Sequence, residues 1–101
     1  MKSVFRFPAN HPVLVGHFPG NPVIPGVLIL EKILECYRQH HPQQPAPGGF
    51  SHVKFLQPLR PEEDLRLEFS AKNNNKVVFI CAGENDTVYV KGEITLLHHR
   101  S

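Results

Sequence analysis

Only one stretch of this 101-residue sequence has the spacing of a helix, and that limits the folds open to it. From Gly26 to His40, Val27, Leu30, Leu34 and Tyr37 recur at i, i+3, i+7 and i+10, and Ile29 and Ile33 widen the stripe. An apolar helix face must be buried, and a lone helix has no second helix to bury it against, so a sheet has to cover it. The remaining sequence supplies strands. Ser3–Phe7 alternates and stops at Pro8, and Asn10–Pro25 is so rich in Pro and Gly that it reads as a constrained loop. "HPQQPAPGG" (His41–Gly49) ends the helix and reads as a linker. Strands follow at Ser51–Gln57, Leu65–Ala71, Val77–Ala82 and Val88–Leu97, separated by the turns "PLRPEED", Asn73–Asn75 and "ENDT". Asn suits the second turn because it tolerates positive φ. Leu65, Leu67, Phe69 and Ala71 share the expected core face of their strand, whereas "VVFICA" is apolar on both faces and reads as a central strand. The expectation is one α+β domain over residues 1–101, a curved antiparallel sheet wrapped around one helix.

Composition narrows the function classes. A net charge of +2, with no run of Lys or Arg, gives no phosphate-tracking stripe, so nucleic acid is not an expected partner. The longest apolar run is Val27–Leu30, far short of a membrane span. "MKSVFRFPANHP" has no apolar core of signal-peptide type, so a cytoplasmic location is expected. Cys36 and Cys81 read as buried thiols rather than a disulfide framework. His11, His40, His41, His52, His98 and His99 have no convincing ligand spacing, so no metal is expected.

The stretch that carries chemistry is "GHFPGNPVIPGVLILE", Gly16–Glu31, with three prolines and three glycines around His17 and a helical carboxylate at Glu31. It resembles the signature of the 3-hydroxyacyl-(acyl carrier protein) dehydratases of fatty acid synthesis, which have the hot-dog fold. The likeness is carried by His17-Phe18-Pro19-Gly20, Pro22, Pro25-Gly26-Val27-Leu28 and Glu31. "VKFLQPLRPEEDLRLEF" (Val53–Phe69) resembles the pair of strands that follows in the family. The resemblance implies removal of water from a 3-hydroxyacyl thioester, borne by acyl carrier protein or coenzyme A, to give a trans-2-enoyl thioester without a cofactor. It also implies a homodimer or a multiple of one. His17 and Glu31 would be the catalytic pair, facing each other across the dimer interface. Against the family pattern the chain reads as short, and an N-terminal strand and helix of the family are not expected in it. Glu35 stands where Gln is common, and "FLQPL" (Phe55–Leu59) lacks a basic pair at 56 and 57.

Bare chemistry agrees with that assignment. Dehydration needs a base for the C2 proton, which a neutral imidazole can be, and an acid for the departing hydroxyl, which a carboxyl can be only while protonated. Charge developing on the thioester oxygen needs a donor, and Gly26 opens a helix whose first amides lack intrahelical partners. Phe18, Pro25 and Val27 complete the expected oxyanion and substrate-binding set. Taken alone, His17 reads as a loop histidine, and Glu31 shares a helix face with Glu35 and Arg38, as a solvated stripe would. Two other functions fit the same residues: a hot-dog thioesterase that directs water at the carbonyl, and a non-catalytic module that binds acyl thioesters.

Overall fold

The computed structural model describes residues 2–10, 23–41 and 46–97. Its elements are β1 (Lys2–Phe5), α1 (Gly26–His40), β2 (Pro47–Phe55), β3 (Leu65–Asn73), β4 (Lys76–Ala82) and β5 (Val88–Leu96). The strands form one sheet in the order β1-β3-β4-β5-β2, every neighbouring pair antiparallel. β4 is central, as its two apolar faces require. Phe79 and Cys81 of β4, Val90 and Ile94 of β5 and Leu65 and Leu67 of β3 are buried against Ile29, Ile33, Cys36 and Tyr37 of the helix. Cys36 and Cys81 are free and buried, and burial pushes the Cys81 thiol up to about 12.

α1 has the expected bounds. Pro25, extended at φ −61° and ψ 142°, has no side-chain cap, and its carbonyl accepts from the Leu28 and Ile29 amides at 3.0 and 3.2 Å. The fixed φ of proline directs the chain into the first turn. The buried stripe, however, is centred on Ile29, Ile33, Cys36 and Tyr37 rather than on Val27, Leu30 and Leu34. Val27 is 70% exposed. Apolar residues run around more than half of this helix, so spacing alone leaves the centre of the buried face open, and the sheet selects it.

Some strand and turn expectations are corrected, and β1 ends at Phe5, not Phe7. β2 begins at Pro47, within the expected linker, because an edge strand tolerates a missing donor at its first residue. The Leu97 amide donates to the Ala46 carbonyl at 2.8 Å just ahead of it, and a side chain at Gly48 would collide with Leu97. Ala71 is exposed because the β3–β4 hairpin beyond Phe69 carries no buried residue until Val77. The turn after Asn73 is held by the Asn73 carboxamide, whose Oδ1 accepts from the Asn75 amide at 2.7 Å. Positive φ among non-glycine residues falls instead at His52, Glu62 and Asp86.

Candidate functional site

Of the residues singled out by the motif, Pro25, Gly26, Val27 and Glu31 lie within the described part of the chain, and His17 and Phe18 lie outside it. The approach to the helix is pinned by the Ile24 amide, which donates to the Leu59 carbonyl at 2.8 Å. Gly26 then starts α1. Its amide and that of Val27 precede the first intrahelical donors, and the helix dipole adds to their pull on an anionic oxygen. Gly26 also sits beneath the ring of Phe55: a Cβ there would be 3.0 Å from Cζ of that ring. An open groove of about 430 Å³ runs past this contact, lined by Val23, Ile24, Gly26, Ile29, Phe55 and Leu56 among others. Phe55 is 51% exposed although its ring lies over the helix. Neither Phe55 nor Leu56 stood out in the sequence as part of the site. The only signal was a pair of apolar residues running past the end of a strand into a Pro-rich turn.

Glu31 follows one and a half turns after Gly26, on the helix side away from the sheet, and is exposed in the chain by itself. It borders a cleft of about 200 Å³ shared with Arg6, Phe7, Pro8, Leu28 and Lys32. The two cations beside it are committed to other carboxylates. Arg6 donates through Nε to Asp64 Oδ1 at 2.9 Å and reaches Glu62 at 3.5 Å. The partner of Lys32 is Glu35, at 3.4 Å, and its Nζ stands 5.9 Å from the centre of the Phe5 ring. Arg6 is held above its ordinary value mainly by its hydrogen bond to Asp64.

Among the described residues, no three His, Cys, Asp or Glu side chains converge as a metal site. No helix among them is long and apolar enough to cross a membrane.

Comparison with known proteins places this geometry. The model of the ApeI-like family, described as ApeI dehydratase, matches residues 1–93. A 3-hydroxyacyl-(acyl-carrier-protein) dehydratase FabZ of Thermomicrobium roseum is 42% identical over 66 residues, covering 58% of this chain and 44% of the relative. The FabZ of Caldicellulosiruptor saccharolyticus is 30% identical over 100 residues, covering 92% of this chain and 69% of the relative. Over matches of the first kind, the chain spans about half the length of the curated relatives. Among solved structures, the dehydratase heterocomplex ApeI:P from Xenorhabdus doucetiae superposes with a TM-score of 0.80 at 21% identity, over 96% of this chain and 86% of that one. One helix against a five-stranded antiparallel sheet in this order is therefore the hot-dog fold. The chain belongs to the ApeI-like dehydratase family.

Proposed function

We propose that this protein removes water from a 3-hydroxyacyl thioester to give the trans-2-enoyl thioester. The observation that carries this reading is the placement of Glu31 one and a half turns from the Gly26 amide, at the end of a motif that begins with His17. In this scheme the His17 imidazole takes the C2 proton. The charge that develops on the thioester oxygen is received by the Gly26 amide, at the positive end of α1. Glu31, protonated, gives its proton to the departing 3-hydroxyl, which leaves as water. No electrons are transferred, so the scheme needs no redox cofactor. Phe18, Pro25 and Val27 flank the substrate.

A carboxyl exposed to water is a poor reservoir for that proton, so the scheme needs something to cover the Glu31 face. A second copy of the chain is the proposed cover, the two forming a homodimer in which His17 of one chain works with Glu31 of the other. Exposed Val27 on the helix and the edge positions of β1 and β2 among the described strands support this. The substrate would be carried by acyl carrier protein, as the names of the relatives have it for themselves, in the cytoplasm. The thioesterase alternative uses the same carboxylate to direct water at the carbonyl.

Incubation with a series of 3-hydroxyacyl thioesters on acyl carrier protein and on coenzyme A, followed by mass spectrometry, tests the reading. Loss of 18 mass units with the thioester intact is expected for loss of one water. Release of a free thiol would favour the thioesterase, and binding without turnover the non-catalytic module.

A further inference from the structure

The β2–β3 turn reads in the sequence only as a Pro-rich connection, yet the successive carboxylates Glu62, Glu63 and Asp64 in it each take a partner. Glu62 Oε1 accepts from the Ala9 amide at 2.6 Å, and the Glu62 amide donates to the Phe7 carbonyl at 2.7 Å. Tyr89 of β5 donates to Glu63. Asp64 Oδ1 accepts from both Nε and Nη2 of Arg6, at 2.9 and 2.5 Å, and Glu62 lies 3.5 Å from the same guanidinium. Glu62 holds its place at a φ of 66°, a left-handed backbone that suits glycine better. Strain of this kind persists where the surroundings fix it, and it clusters at functional sites.

What these contacts restrain is a wall of the cleft beside Glu31. Arg6, Phe7 and Pro8 line that cleft together with Leu28 and Glu31 of the helix. Among the described residues, the charged groups that share it with Glu31 are Arg6 from the segment after β1 and Lys32 and Glu35 from α1. Lys32 pairs with Glu35 along the helix, so Arg6 is the cation whose direction is set from outside α1. A guanidinium carries several donors and binds carboxylates readily, and Glu31 borders the same space. Exposed pairs of this kind add little to stability. Two acidic partners for one arginine are better explained by what they keep it from. A cation paired with Glu31 would favour the ionised carboxylate, whereas the dehydration scheme needs the protonated one. We propose that Asp64 and Glu62 are positioning residues that hold Arg6 away from Glu31, so that this carboxyl can act as an acid. This rests on the dehydratase reading above.

The test neutralises the turn in the full chain without changing its shape, with Glu62→Gln/Asp64→Asn, and then removes the cation as well, with Arg6→Gln/Glu62→Gln/Asp64→Asn. A carboxamide at position 62 still accepts from the Ala9 amide, so the segment stays tied to the turn. With a 3-hydroxyacyl thioester of N-acetylcysteamine, the double variant should lose about tenfold in kcat at neutral pH. Its KM should change little, and its optimum should move to lower pH. The triple variant should recover most of the loss. A merely structural role gives the opposite order, because losing a further charged group would lower activity again. Arg6→Gln alone should turn over like wild type. A loss there as deep as in the double variant overturns the proposal, since Arg6 itself would then serve the reaction. An unaffected double variant, or a triple variant no better than the double, also overturns it. Titration of the Glu31 carboxyl by carbon NMR on labelled glutamate, assigned by its disappearance in Glu31→Gln, reads the same coupling without turnover. Its midpoint should move to lower pH in the double variant and return in the triple, and a midpoint that stays put sinks the proposal. If wild type dehydrates nothing, the dehydratase reading fails by itself, and the titration still decides whether the turn holds Arg6 from Glu31.

Discussion

Glu93 and Glu31 differ in which cations they engage. Glu93 is held below the ordinary value of 4.5, first by its hydrogen bond from Lys72 and then by Lys76, with burial opposing both. Its folded value is therefore lower than its unfolded one, so it contributes stability above the unfolded value and loses that contribution as pH falls through the folded one. Urea midpoints should decline as pH drops below about 4.5, and Glu93→Gln should flatten that part of the decline. An equally steep acid limb in the variant would assign the loss to other carboxylates. Glu31, by contrast, borders cations already engaged by Asp64, Glu62 and Glu35. Glu31→Gln should reduce dehydration by roughly 10²–10⁴-fold while the urea midpoint stays put. A surface residue would leave both unchanged, so near wild-type turnover returns Glu31 to solvent. His17→Ala should abolish exchange of the C2 hydrogen with solvent deuterium as well as dehydration, and undiminished exchange would identify a different base. That Gly26 and Glu31 lie on one helix was legible in the sequence, because Pro25 marks its start. Their relation to Phe55 was not, because that contact joins segments almost thirty residues apart.

At the scale of elements, packing defines what spacing could not. Ile33 is fully buried at the centre of the helix face, so Ile33→Ala should cost about 2–5 kcal/mol. Gly92 in β5 has no room for a side chain: a Cβ would lie 3.0 Å from both Phe79 Cζ and the Val53 Cα of the neighbouring strand. Phe79 is fully buried and Val53 offers backbone, so neither can yield easily. Gly92→Ala should therefore destabilise by about 1–3 kcal/mol in urea unfolding, and a neutral result would show that the β2 bulge relaxes to accept it. Strand identity was largely readable from alternation. The ends of β2 were not, because an edge strand admits Pro47 and Gly48 for reasons set by its neighbour Leu97.

At the scale of the whole molecule, the outer helix face is exposed. Val27, 70% exposed, and Glu31, one turn further on, share that face. Light scattering at micromolar concentration should give a mass near twice 11.4 kDa. Val27→Asp should shift it toward the monomer and lower activity in parallel. A monomeric mass in an active preparation would eliminate a site shared between two copies, and a partner of different sequence would show itself as activity recovered only in a mixed complex.

What the sequence determined by itself is what local sterics and periodicity decide: the extent of α1 from Pro25 to the break at His41, the alternation of β3, the doubly apolar centre of β4 and the motif from Gly16 to Glu31. The tertiary structure alone decided which helix face met the sheet, that β2 returns to pair with β5 at the far edge, and that a bulge sets Lys54 opposite Lys91. These depend on contacts between segments distant in the chain, whose energies come from burial and packing against particular neighbours.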